Sequence, residues 1–167
     1  MTVSTHAEDW PQWRGMDRLG IWYDTGIIEQ FPDEGLKISW RVPIKSGYAG
    51  PAVANGRVFV MDWSETPTSR TMDGTERLLA LNEETGDILW THKWKTSYRM
   101  LMASYAIDPR ATPTVDGNRV YVVGATGRLF CLDVENGNLL WERDYVADYD
   151  LSVPPWGVAS APLIDGS

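Results

Sequence analysis

Three tryptophans set the frame for this chain: Trp40, Trp90 and Trp141 fall 50 and 51 residues apart. Two of them close segments that align without a gap. These are Arg77-Leu-Leu-Ala-Leu-Asn-Glu-Glu-Thr-Gly-Asp-Ile-Leu-Trp90 and Arg128-Leu-Phe-Cys-Leu-Asp-Val-Glu-Asn-Gly-Asn-Leu-Leu-Trp141. Gly35-Leu-Lys-Ile-Ser-Trp40 is a weaker copy upstream. A second landmark, a Pro followed by alternating apolar residues and a turn, occurs at Pro51–Gly56, Pro113–Gly117 and Pro162–Gly166. The two landmarks interleave in constant order. A fixed period of this length marks a repeat architecture, in which one unit cannot bury its faces alone and must stack on its neighbours.

Each full unit reads as four short strands. In the second unit a strand at about 111–115 turns at Asp116-Gly117-Asn118 into Arg119–Val123. Gly124–Gly127 leads to Leu129–Leu132, and Val134–Gly137 turns into a last strand from Asn138 to about Asp144. Alternation punctuated by Asn, Asp and Gly is a hairpin signal. No segment between the strands has the helical period of a crossover. Consecutive four-stranded antiparallel units predict the blades of a β-propeller; a β-sandwich with accidental Trp spacing is the competing fold.

The predicted layout is an N-terminal extension and lead-in loop over 1–35, then a partial propeller over 36–167. Within it, 36–44 reads as the outer strand that closes a ring, 49–95 and 110–145 as blades, and 158–167 as the start of a further blade. The Pro that opens each first strand is tolerated because that position need not donate to the ladder. At this period even a four-bladed propeller needs about 200 residues. The expectation is therefore a fragment of about two and a half blades from a longer protein. Expressed alone, it is expected to aggregate or stay partly disordered, because unpaired edges and open Trp faces lack partners.

Charge and composition exclude several classes. The net charge is −8 and the 15 basic residues are scattered singly, which argues against nucleic acid as a partner. No apolar stretch reaches the ~18 residues of a bilayer span, so no transmembrane segment is expected. The first nine residues lack the charged lead-in and apolar core of a signal peptide. With Cys131 as the only cysteine and His6 and His92 far apart, neither an internal disulfide nor a zinc site is predicted.

Ala80-x-Asn82-x-x-Thr85-Gly86-x-x-x-Trp90 resembles the tryptophan-docking motif of the pyrroloquinoline-quinone (PQQ)-like propellers. Cys131-x-Asp133-x-x-Asn136-Gly137-x-x-x-Trp141 is similar, with Cys in place of Ala and Asn in place of Thr. The opening Asp9-Trp10-Pro11-Gln12-Trp13-Arg14-Gly15 looks like the start of many exported bacterial propellers of this kind. Kelch and WD40 signatures are missing. The resemblance spans about Asp9 to Ser167 and is specific for the fold, less so for activity. It implies that Trp40, Trp90 and Trp141 are docking residues. Trp90 would sit between Ala80 and Gly137, Gly86 would serve in the same way as Gly137, and Trp141 would lie against Cys131. Cys131 is then a small buried apolar residue, with a reactive thiol as the other reading. The resemblance also implies an exported, periplasmic location.

In an antiparallel meander, the turns after the first and third strands lie at one end of a blade. Here these are short. The other end receives every long connection: an insertion at 62–76, and loops at about 95–110 and 145–158. Long loops gathered on one end of a rigid scaffold are where binding sites usually lie. Trp63, Arg99, Tyr105, Arg110 and Trp156 are the ligand-facing candidates on these loops, although aromatics there could equally cap the blade tops. Arg110 enters a first strand beside Ala111 and is expected near the central funnel.

No nucleophile motif is present. Asp73-Gly74 and Asp148-Tyr149-Asp150 lack the pattern of a known Ca²⁺ loop, and no metal site is predicted. Two function classes follow. The first is a non-catalytic binding or assembly scaffold that presents its long loops to a protein or carbohydrate partner. The alternative is part of a PQQ-dependent alcohol or sugar dehydrogenase, for which the resemblance implies PQQ and Ca²⁺ as cofactors. No catalytic motif in this stretch supports it, and the adjacent-cysteine pair of many such enzymes is not in this stretch.

Overall fold

The computed structural model describes residues 7–102 and 108–166, and the alternation read above resolves there into eight strands. Blade one comprises β1 (Ala52–Ala54), β2 (Arg57–Glu65), β3 (Asp73–Asn82) and β4 (Ile88–Ser97). Blade two comprises β5 (Thr114–Asp116), β6 (Arg119–Val123), β7 (Arg128–Asp133) and β8 (Leu139–Asp144). Each set forms one antiparallel sheet in sequential order, β1-β2-β3-β4 and β5-β6-β7-β8. These are two blades of a β-propeller.

The turn between the third and fourth strands is built identically in both blades. The Asn82 side-chain oxygen accepts from the backbone N–H groups of Glu84 and Thr85, and Asp133 does the same for Glu135 and Asn136. Gly86 and Gly137 then take left-handed φ of 75° and 71°, which an L side chain resists. The ladder register shifts at the matching points, between Ala80 and Leu81 and between Cys131 and Leu132. The motif spacing thus encodes one hairpin shape.

The main core lies between the blades. Phe59, Met61, Leu78, Ala80 and Trp94 of blade one pack with Val120, Val122, Phe130, Leu132 and Val134 of blade two. The opposite face of blade one, with Val60, Leu79 and Leu81, is covered by Val42. Each large apolar side chain removed from water in this way contributes roughly 1.5–3 kcal/mol.

Several expectations are corrected. No strand forms over 36–44: a strand exists through its ladder, and no described strand lies beside this segment. It instead lays Trp40 and Val42 against blade one. The 62–76 insertion is mostly strand, because β2 runs to Glu65 and β3 begins at Asp73, leaving 66–72 as the loop. The lead-in also pairs with both blades. Trp10 exchanges both backbone hydrogen bonds with Val53 on the edge of β1, and the Pro11 carbonyl accepts from Val115 in β5. After β8 a short helix, α1 (Tyr145–Tyr149), is capped by the Asp144 carboxylate, which accepts from the N–H groups of Val146 and Ala147. No described strand covers 158–166, although the Val158 N–H donates to Ala125 and the Thr114 hydroxyl to Pro162.

Candidate functional site

Two indoles cross from one repeat to the next. The Nε1–H of Trp40 donates to the Glu83 carbonyl at 2.8 Å, and that of Trp90 donates to the Val134 carbonyl at 2.9 Å. Both acceptors stand three residues before a motif glycine. A Cβ on Gly86 would lie 2.8 Å from the Trp40 ring, and one on Gly137 would lie 2.5 Å from the Trp90 ring. Trp90 also stands opposite Ala80 in the ladder, as Trp141 does opposite Cys131. Trp141 is 37% exposed and has Tyr121 as its aromatic neighbour at 5.9 Å. Cys131 is fully buried, and that burial pushes its thiol pKa up.

The 66–72, 98–102 and 151–158 connections meet in a second small core. Trp63 stacks on Tyr98 at 4.6 Å, with Leu101 and Ala125 beside them and Met72 and Val153 packed against the cluster. Below this cluster sits a fully buried carboxylate. Glu76 accepts from Trp94 Nε1 and Tyr98 Oη, each at 2.5 Å, and from the Ala125 N–H at 2.9 Å. Trp94 and Tyr98 belong to blade one and its exit loop, and Ala125 to the β6–β7 turn of blade two, so one carboxylate ties the blades together. Desolvation raises the Glu76 pKa, against the lowering effect of its hydrogen bonds. The buried Tyr98 hydroxyl is likewise raised, by burial first and then by the Glu76 charge.

The five loop candidates do not form one constellation. Trp63 is buried, so it is a packing residue rather than a ligand-facing one: the continued alternation of β2 turns it into the second core. Arg99 and Trp156 are exposed. Arg110 is half-buried and lines a cavity of about 270 Å³ with Trp13, Arg18, Thr112 and Ala159–Ala161. Tyr105 lies outside the described residues. Among the described residues no three Asp, Glu, His or Cys side chains gather as a metal-binding group. No described helix is long and apolar enough to cross a membrane.

Glu76, Arg18 and Trp13 were not among the candidates. Glu76 leaves a trace in the sequence, since it stands in phase with the inward Leu78 and Ala80 of β3, where a charge demands partners. Arg18 leaves none.

The family model described as outer membrane protein assembly factor BamB matches residues 33–148 and 104–160. A protein of that name from Aliivibrio fischeri is 32% identical over 76 residues, covering 46% of this chain and 20% of the relative. One from Vibrio cholerae is 27% identical over 106 residues, covering 64% of this chain and 25% of the relative. The chain therefore spans a fifth to a quarter of the length of these curated relatives. Among solved structures, BamB from Moraxella catarrhalis superposes with a TM-score of 0.41 at 22% identity, over 63% of this chain and 26% of that one. The quinohemoprotein alcohol dehydrogenase from Comamonas testosteroni gives 0.41 at 20%, over 62% and 14%. Because the family match runs through both blades, the chain belongs to the PQQ-like repeat family described as outer membrane protein assembly factor BamB.

Proposed function

We propose that this chain is part of a non-catalytic assembly scaffold, exported to the periplasm, that presents the loops of one propeller end to a protein partner. The observation that carries the reading is the second core: Trp63, Tyr98, Leu101 and Ala125 brace the 66–72, 98–102 and 151–158 connections on top of the stacked blades. A loop surface held this way can offer a preformed binding face at low entropic cost. Membership of the assembly-factor family supports the scaffold role and the periplasmic setting. The exposed Arg99, Met100, Tyr149 and Trp156 supply the mixture of aromatic and Arg side chains that protein interfaces favour.

The test uses the protein at its natural length in living cells, with a photo-crosslinking residue in place of Arg99 or Trp156. A control probe replaces Glu84 on the short-turn end. Crosslinks to an outer-membrane assembly protein from positions 99 and 156, but not 84, are the expected result. Equal crosslinking from position 84, capture of polysaccharide alone, or alcohol-dependent dye reduction on adding PQQ and Ca²⁺ would overturn the reading.

A further inference from the structure

We infer that Arg110 and Arg18 form a binding site for a single carboxylate at the inner, long-loop end of the blades. This site does not depend on the scaffold reading. Arg110 Nε and Nη2 and Arg18 Nη1 are buried and have no hydrogen-bond partner among the described residues. Both side chains line the same cavity of about 270 Å³, with Thr112 and Ser160 supplying neutral hydroxyls on its wall. A buried guanidinium without an acceptor is costly, and a bound anion removes that cost.

The identity of the unpaired atoms selects the ligand. Nε and Nη2 form the side-on edge of a guanidinium, whose two parallel N–H bonds match the two oxygens of a carboxylate. The same protein uses this edge elsewhere: Arg77 donates from Nε to Asp62 Oδ1 at 2.7 Å and from Nη2 to Asp62 Oδ2 at 2.5 Å. Arg110 has the same edge buried without an acceptor. Asp108, two residues upstream, is buried with its own Oδ1 unpartnered, and none of the ion pairs among the described residues joins it to Arg110.

The lead-in holds Arg18 in place at a conformational cost. Arg14 and Arg18 both take left-handed φ, 69° and 56°, in a tight loop closed by hydrogen bonds from Gly15 to Gln12, Arg18 to Gly15 and Gly20 to Arg14. Both guanidinium groups lie over the Trp13 ring, at 5.6 and 5.7 Å. Non-glycine residues in this backbone region persist where the surroundings hold them, and they cluster at ligand sites. Concentrated arginine in a chain of net charge −8 is a further departure from its average surface.

The experiment follows the Arg Nε–H resonances of the protein at natural length by ¹⁵N NMR. Sodium acetate is titrated against sodium chloride at equal ionic strength, and in parallel a short peptide with one Asp side chain and blocked termini. Saturable shifts at Arg110 and Arg18 with a carboxylate but not with chloride are expected. Binding should weaken at least tenfold in Arg110→Lys, which keeps the charge but loses the fork, and in Arg18→Met. Tighter binding of acetate names a free small carboxylate as the source, and tighter binding of the peptide names an acidic side chain. Equal response to chloride, unchanged affinity in Arg110→Lys, or tighter binding of inorganic phosphate than of either carboxylate would overturn the proposal.

Discussion

The indole N–H of Trp90, in blade one, donates to the carbonyl of Val134, in blade two, and the ring covers the face of Gly137. Hydrogen bond and close approach occur at one point, so the glycine is required twice: by its φ of 71° and by the ring above it. Gly137→Ala would place a methyl group 2.5 Å from Trp90 Cε3. It should destabilise the protein by about 2–4 kcal/mol, combining overpacking with left-handed strain. Chemical denaturation measures this, and Gly117→Ala is the control. Gly117 has a similar φ of 55° but open space around its Cβ, so its loss should be confined to the backbone part.

The hairpin shared by the blades was legible because it is local. Asn82 with Gly86, and Asp133 with Gly137, sit at fixed spacing, and the Trp four residues later marks the stacking strand. The arginine pair was not legible, because Arg18 and Arg110 line one cavity only once the lead-in has crossed β1 and β5 through Trp10 and Pro11. Trp63 was misplaced for a different reason. Thr66, Pro67, Thr68 and Ser69 look like a loop, and that signal obscured how far the alternation of β2 continues before them. The segment 36–44 carries strand-like residues, but a strand is a property of its partner as well as of its own sequence.

Glu76 should make stability depend on pH in a definite direction. Its folded pKa is raised above the ordinary 4.5, so its contribution is fully present below that value and is lost as pH rises through the raised one. Measured from about pH 4 to about pH 8, the wild type should lose stability relative to Glu76→Gln. A relative gain would contradict the desolvation argument. Glu76→Ala should cost about 3 kcal/mol or more at any pH, because it leaves the Trp94, Tyr98 and Ala125 donors buried without an acceptor.

Asp62 anchors the approach of the 36–46 segment to blade one. Its fully buried carboxylate accepts from the Lys45 N–H at 2.7 Å as well as from Arg77. Asp62→Ala should cost about 2 kcal/mol, less than a fully buried pair would, because Arg77 is 22% exposed and can be rehydrated. Limited proteolysis should then cut near residues 41–46 faster than in the wild type.

Cys131 should behave as a core residue. Its thiol is fully buried opposite Trp141 and raised in pKa by that burial, so it is a poor nucleophile. A maleimide or disulfide reagent at neutral pH should label it only on unfolding. Cys131→Ala should fold with a loss of about 1 kcal/mol, and Cys131→Leu should lose more through overpacking.

The claim beneath all of this is that recurring tryptophans join consecutive repeats through their indole N–H groups. Hydrogen exchange at the indole Nε1–H positions, resolved by ¹⁵N NMR in the protein at natural length, tests it most directly. The account predicts that Trp40 and Trp90 exchange far more slowly than the exposed Trp13 and Trp156. Exchange of Trp40 and Trp90 as fast as that of Trp13 and Trp156 would contradict it.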